Sequence, residues 1–316
     1  MLAEAILNST AAMMRLRLDF CDFWPNFPKA KNFFFELLSA RYEVEICDHP
    51  DFLIYSNFGC HHHLYTCPRI FFTGEPAAPN FRECDYAFTS RHLDDPRHLR
   101  LPLYVLYVSP HLLVKNPEEP EQLLAQKKKF CAFVVSNAHR RTARRVDFFH
   151  CLSRYQQVDS GGRHLNNIGG PIGESLEAKI AFLQPYKFNI AFENTFLAGY
   201  TTEKIVDAMR ARCIPIYWGS PQIHTEFNPR SFLNYSDFPN EEALIERILQ
   251  IDRDNSLYLE YLRQPFFHDN RPNEFFNRER LLARFDKIFS TKIRPVGARR
   301  KFFQIGRWVL VKKNKA

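Results

Sequence analysis

No run in this 316-residue chain approaches the ~20 apolar residues that a membrane-spanning helix needs. The mildly apolar first fifteen residues are interrupted by Glu4 and have no positive region before them, so neither a cleaved signal nor an anchor is expected there. A cysteine framework is also missing. The eight cysteines (Cys21, Cys47, Cys60, Cys67, Cys84, Cys131, Cys151 and Cys213) are scattered singly, mostly within apolar segments, which argues against a disulfide-stapled scaffold and for reduced thiols in a cytoplasmic protein. No internal repeat is visible, which sets repeat architectures aside. From Lys292 to Ala316 there is no Asp or Glu at all, against nine Lys or Arg, so this tail needs a reading separate from the body.

What the chain does have is apolar and aromatic mass. At 45% hydrophobic and 15% aromatic it can bury a large core, and its length sits near two domains. Its 31 phenylalanines fall partly in short runs such as Asn32-Phe33-Phe34-Phe35 and Asp147-Phe148-Phe149, which read as buried faces. The formal charge of +8 implies an acidic partner: a nucleotide, a phosphorylated substrate, nucleic acid or an anionic membrane. Charge alone does not choose among these.

Leu16-Arg17-Leu18-Asp19-Phe20 alternates with period two and reads as a strand, followed by a turn around Pro25 and Pro28 and a helix from Phe33 to Arg41. Short strands follow at 44–47, 52–56, 69–75, 85–88 and 101–107. The periodicity fades between His111 and Lys129, through Lys115-Asn116-Pro117-Glu118-Glu119-Pro120 and Lys127-Lys128-Lys129. This polar bridge sets the expected divisions at 1–126, 127–291 and a tail of 292–316. A second series then runs strand 130–135, helix 144–154, a glycine-rich turn, helix 175–183, strand 188–193, helix 202–212, strand 214–218 and helix 240–251. Such alternation gives parallel sheets, so the expected fold is α/β with two Rossmann-like domains facing a central cleft.

The stretch that carries chemistry begins at Tyr186-Lys187-Phe188-Asn189-Ile190-Ala191-Phe192-Glu193-Asn194 and passes through Tyr200-Thr201-Thr202-Glu203-Lys204 to Pro215-Ile216-Tyr217-Trp218-Gly219. A buried strand ends in an acid and an amide, and a loop then enters a helix whose first turn holds two hydroxyls, a carboxylate and a lysine. A helix start of this kind suits a diphosphate, with Lys204 adding a formal charge. Glu193 and Glu203 suit sugar hydroxyls, since a carboxylate accepts two at once. The plainer reading is an ordinary helix cap; the strand ends on both sides favour a ligand, because open α/β sheets bind ligands at the carboxyl ends of their strands.

In this order these segments resemble the donor motif of the α1,3/α1,4-fucosyltransferases, glycosyltransferase family 10, in its bacterial form. The resemblance runs from Asp22-Phe23-Trp24-Pro25-Asn26-Phe27 to about Phe289. It implies a GT-B fold with the acceptor side first and the GDP-fucose side second. It further implies that Lys204 and Arg145 bind the pyrophosphate, and that Asn194, Tyr200 and Glu203 contact the fucose, ribose or guanine of the donor. Arg140, Arg141 and Arg144 crowd the same segment as Arg145, and the plain reading of that cluster is a solvated basic patch or a nucleic-acid surface. Ser160-Gly161-Gly162-Arg163 offers a backbone that a ligand can approach closely, although a lone Gly-Gly is more often a turn.

An inverting transfer needs a base for the acceptor hydroxyl. Glu75, in Phe72-Thr73-Gly74-Glu75-Pro76 after a buried strand, is the position that the family's similar Thr-Gly-Glu assigns to it, though an acid beside proline is often only a turn residue. The diphosphate leaving group can be stabilised by Arg145, Lys204 and the helix start without a metal. The expectation is therefore no required metal and no Asp-x-Asp metal site, with Mn or Mg at most stimulatory. Cys60-His61-His62-His63 with Cys67 offers metal-binding side chains, but three consecutive histidines cannot all face one ion on a strand and no second ligand cluster stands out, so an acceptor-binding loop is expected there.

The tail Arg299-Arg300-Lys301-Phe302-Phe303-Gln304-Ile305-Gly306-Arg307-Trp308-Val309-Leu310-Val311-Lys312-Lys313 mixes cations with large apolar groups, a composition suited to an anionic membrane surface. The expectation is a cytoplasmic enzyme, peripheral on the inner face of the membrane. It would transfer L-fucose from GDP-β-L-fucose to O3 of GlcNAc or Glc in a β-galactoside glycan such as N-acetyllactosamine, for Lewis-type surface glycans including lipopolysaccharide. The alternatives are an α1,4-transferase, another nucleotide-sugar transferase of the same fold, or a basic nucleic-acid-binding protein. Against the last, the aromatics lie within apolar runs and not among exposed cations, so no nucleic-acid partner is expected.

Overall fold

A computed structural model describes residues 13–116, 120–136 and 143–298. The first unit contains β1 (Arg15–Cys21), α1 (Phe33–Ser39), β2 (Glu43–Ile46), β3 (Phe52–Tyr55), β4 (Arg69–Thr73), β5 (Tyr86–Thr89) and β6 (His98–Arg100). Its sheet has the order β2-β1-β3-β4-β5-β6, and every pairing is parallel. Asn32 starts α1 by accepting the backbone N–H of Phe34 and Phe35 on its side-chain oxygen, which satisfies donors the helix cannot. Strands β4 and β5 are buried along their whole length, as covering on both faces of a parallel sheet requires.

Residues 101–107, read from sequence as a strand, are not one. Leu101 donates the last ladder bond, to Thr89 O, and Pro102 has no N–H with which to continue it. The chain instead turns into α2 (Tyr104–Tyr107). The polar bridge is also more ordered than its composition suggests. It contains α3 (Pro120–Gln126), whose Glu121 pairs with Arg263 at 2.5 Å. Lys127, part of that polar bridge, is 5% exposed and donates to the carbonyls of Gln184 and Ala211.

The second unit contains β7 (Lys129–Phe133), α4 (Ala143–Ser153), β8 (Val158–Ser160), α5 (Leu176–Leu183), β9 (Tyr186–Phe192), α6 (Glu203–Arg210), β10 (Ile214–Trp218), β11 (Leu233–Asn234), α7 (Glu241–Arg253) and α8 (Asn255–Arg263). Its parallel sheet has the order β11-β10-β9-β7-β8. The expected two-unit α/β architecture is thus present.

The last helix, α9 (Arg278–Ser290), belongs with the first unit although its place in the chain put it in the second. Phe285, fully buried, stacks on Phe88 of β5 with ring centroids 4.8 Å apart, and Phe289 packs on Phe52 of β3. Asp286 accepts from both Arg41 and Tyr42 beside α1. The backbone beyond it stays on that unit, with Val296 N–H donating to Asp85 at 2.9 Å. Among the described residues no helix is long and apolar enough to cross a membrane. Residues 299–316, most of the basic tail, lie outside the described residues, as do Arg140 and Arg141.

Candidate active site

The carboxyl ends of the strands in both sheets face a cleft of about 720 Å³. Its walls come from the segments that leave those ends: Glu75 after β4, Val134 to Ser136 after β7, Gly161 to Arg163 after β8, Asn194 after β9, and Glu203 and Lys204 on α6. Arg145 on α4, the segment 171–175 and Lys179 on α5 complete it. Gly162 is required by packing: a Cβ there would stand 1.9 Å from the carbonyl oxygen of Val135, so only glycine lets the two loops meet.

The electrostatics start at Glu193, which is 1% exposed. One of its oxygens accepts the Thr202 backbone N–H at 2.7 Å, and the other accepts the Thr202 hydroxyl at 2.7 Å and Lys204 Nζ at 3.1 Å. This corrects the reading of Glu193 as a sugar-binding carboxylate. Both oxygens are occupied in holding the entry to α6, and one backbone donor of the expected anion site is used by the protein itself. Positive charge is delivered to the cleft by side chains instead.

Burial alone would lower the pKa of Lys204, but the neighbouring Glu193 and Glu203 outweigh it and raise it. Glu193 responds the other way: its burial raises it, against Lys204 and the Thr202 donors. For Glu203, burial is outweighed by Lys204 and Lys179, which bring it down to about 2. Its side chain is 25% exposed on the cleft wall, so an ionised carboxylate is available to hydroxyl donors. Arg145 is 6% exposed; burial pulls its pKa down while Glu193, Tyr200 and Glu203 oppose this, and a guanidinium stays charged under such conditions. Its Nη1 donates to Asn194 Oδ1 at 2.8 Å, joining two of the expected donor contacts directly. Arg144 does not compete for the position, because its guanidinium lies over the ring of Tyr235.

Glu75, Arg145, Asn194, Glu203 and Lys204 therefore share one cleft. Tyr200 does not line it. It is 2% exposed, following Gly199, whose φ of 80° lets the chain lie against the first unit with Ser90 O only 2.3 Å from where a Cβ would be. Burial raises its phenol, with Glu193, Lys204, Glu75 and Glu203 among the charges nearby, so it backs the site without reaching it. Sequence reasoning missed Lys179, a further cation on the wall beside Arg145, Arg163 and Lys204, held by Asp207 at 2.6 Å. Its only signal was a lysine on the helix after a glycine-rich turn.

A second, mostly apolar cavity of about 220 Å³ is lined by Phe23, Trp24, Phe27, Phe33, Phe72, Leu103 and Tyr107, with Lys31 at its rim. Trp24 is 44% exposed and packs edge-on against Phe27 at 4.9 Å. Tyr107 lines this second cavity, and its phenol is raised by burial together with the nearby charges of Glu203, Asp207 and Glu75. The histidine segment, expected as an acceptor loop, lines neither cavity. The sequence does contain an Asp-x-Asp triplet, Asp252-Arg253-Asp254, but it lies away from the cleft: Asp252 pairs with Lys187 at 2.9 Å and Asp254 caps α8.

Two parallel α/β units with strand ends opposed across a cation-walled cleft define a protein of GT-B architecture. The chain matches the family model for the Alpha-(1,3)-fucosyltransferase FucT N-terminal domain over residues 18–107. It matches that for Glycosyltransferase family 10 (fucosyltransferase) C-term over residues 124–279. It belongs to glycosyltransferase family 10. It is 32% identical over 268 residues to the Alpha-(1,3)-fucosyltransferase FucT of Helicobacter pylori, covering 72% of this chain and 54% of that one. To the 3-galactosyl-N-acetylglucosaminide 4-alpha-L-fucosyltransferase FUT3 of Bos taurus it is 33% identical over 153 residues, covering 46% and 40%. The crystal structure of an alpha1,3-fucosyltransferase with GDP-fucose superposes with a TM-score of 0.76 at 28% identity, covering 92% of this chain and 95% of that chain. The chain spans about half or less of the length of these curated relatives.

Proposed function

We propose that this protein transfers L-fucose from GDP-β-L-fucose, with inversion, to a hydroxyl of a glycan acceptor, O3 of GlcNAc or Glc in a β-galactoside such as N-acetyllactosamine. The observation that carries the reading is the cleft itself, which gathers Arg145, Lys204 and Lys179 with Glu75, the acid that the first sheet contributes. Arg145 and Lys204 take the pyrophosphate and offset the charge that grows on it as the glycosidic bond breaks. Glu203 and Asn194 hold hydroxyls of the donor. Glu75, solvent-facing at the end of β4, removes the proton from the acceptor hydroxyl as it attacks the anomeric carbon. These cations do the work that a metal does in other transferases, so no metal is needed in the cleft and Mn or Mg is at most stimulatory.

The aromatic cavity beside the cleft suits the acceptor, since sugar faces stack on exposed rings such as Trp24 while Lys31 meets hydroxyls at the rim. The relatives include both a 3- and a 4-fucosyltransferase, and the O3 assignment rests on the longer match to the bacterial one. The product is a Lewis-type surface glycan, and the basic tail from Lys292 holds the enzyme to the inner face of an anionic membrane.

The test is transfer from GDP-fucose to N-acetyllactosamine with EDTA present, for the parent, Glu75→Ala and Lys204→Ala. Expected are activity in the parent, loss in both variants, and donor binding kept only by Glu75→Ala. Absence of transfer to every galactoside, together with no thermal protection by GDP-fucose, would sink the reading. For the tail, co-sedimentation with anionic vesicles should be lost when the chain is cut after residue 298.

A further inference from the structure

Outside both cavities, the turn from Asp22 to Glu83 gathers a group of side chains that the transfer does not use. Asp22, at φ 58° after β1, draws residues 61–62 onto itself. Its oxygens accept the backbone N–H groups of His61 at 2.8 Å and His62 at 2.9 Å. Nδ1 of His62 stands 2.6 Å from Asp22 Oδ2, so the imidazole proton sits there and the lone pair is presented at Nε2. His62 is 6% exposed, its ring stacks on Tyr55 at 4.1 Å, and its Nε2 is buried without a hydrogen-bond partner. Residues 61–64 form a 3-10 turn and not a strand, which brings the ring of His63 to 4.0 Å from that of His62. One ligand atom from each of His62, His63 and Glu83 lies within 4.8 Å of the others. Arg69 fastens the two segments together by donating to the carbonyls of Tyr65 and Glu83.

We infer that His62, His63 and Glu83 bind a divalent ion of the zinc class, with Asp22 as the outer carboxylate that fixes the His62 tautomer. Two imidazoles and a carboxylate are a donor set that zinc takes with a water in the fourth place, and a carboxylate on the far ring nitrogen is the usual outer partner of a ligating histidine. Ligand atoms around tetrahedral zinc stand roughly 3.3–3.5 Å apart, so closing from within 4.8 Å asks for rotation of the His63 and Glu83 side chains onto the fixed ring of His62. The ion has a structural role. Asp22 leads directly into Phe23 and Trp24, and its carbonyl accepts the N–H of Phe58, whose ring meets Trp24 at 6.4 Å. Occupancy therefore stiffens the wall of the aromatic cavity without entering the phosphate cleft.

The test uses the full chain, stripped with a chelator and titrated with Zn²⁺ against a chromophoric competitor. One ion per chain is expected. His63→Gln and Glu83→Gln, both near the surface, should each weaken binding at least about tenfold, as should Asp22→Asn, while His150→Gln, on α4 of the second unit, leaves it unchanged. Circular dichroism and melting of the stripped variants must match the stripped parent, which separates lost binding from lost folding. Co²⁺ in place of Zn²⁺ should show d–d bands without a thiolate charge-transfer band. No binding by the parent, unaltered affinity in both His63→Gln and Glu83→Gln, or a thiolate band that reports Cys60 or Cys67 as ligands would each overturn the assignment.

Discussion

Glu193 shows how one buried side chain sets the chemistry of another. It has three donors, and the only mobile one is Lys204, whose ammonium it anchors at the cleft wall. Glu193→Gln keeps the shape but replaces an anion by an amide that presents N–H groups to donors. A charged hydrogen bond contributes about 1.5–3 kcal/mol, so the KM for GDP-fucose should rise roughly 10- to 100-fold while far-UV circular dichroism stays unchanged. His98 carries a pH prediction. Burial brings its pKa down to about 4, and its Nε2 lies 2.9 Å from the Thr89 hydroxyl. An unfolded histidine titrates near 6.5, so the folded state binds this proton less readily than the unfolded one. Its contribution is complete above about pH 6.5 and is lost as pH falls toward 4. Melting temperatures measured across that window should fall for the parent and fall less for His98→Gln.

At the scale of elements, α9 carries the largest consequence for stability. Phe285 fills the space between α1 and β5, meeting Phe34 and Phe88, and is fully buried. Phe285→Ala should cost about 3–5 kcal/mol, read as a shift in the urea midpoint with little change of slope. Ending the chain before Arg278 would bare the same apolar surface on the first sheet, and such a protein should aggregate. The strands and helices that alternate cleanly in apolar residues were legible from sequence, including β1, β9 and β10. Residues 101–107 were not, because an apolar run of that length reads equally as strand or short helix until Pro102 is set against the ladder it would have to continue. The burial of Lys127 was not legible either, because its charge marked only a polar bridge and the two carbonyls that accept from it lie 57 and 84 residues away.

At the scale of the whole molecule, the two units are locked by a buried ion pair. Arg100 on β6 meets Glu226 at 2.7 Å, donates to Gly199 O and Ser90 O, and Thr201 adds its hydroxyl to the same carboxylate. Both side chains are below a tenth exposed. Removing one partner strands a buried charge, so Arg100→Met should destabilise by about 3–5 kcal/mol. Arg100→Met with Glu226→Gln should recover part of the loss, which a double-mutant cycle in urea measures. The same variant should loosen the facing of Glu75 toward Lys204 and lower kcat more than it raises the donor KM.

The sequence by itself determined the alternating α/β plan, the order of the two units and the residue types around the cleft, because hydrophobic period and strand-end motifs are local properties of the chain. It also pointed to Glu75, Arg145, Asn194, Glu203 and Lys204. Only the tertiary structure decided that these five line one cleft, that Glu193 is spent on Lys204, that Tyr200 lies behind the wall, that α9 returns to the first sheet, and that Glu83 joins His62 and His63. Each of those facts depends on which segments, far apart in the chain, come within hydrogen-bonding or van der Waals distance. Such closeness is fixed by packing of the whole core and has no local signature.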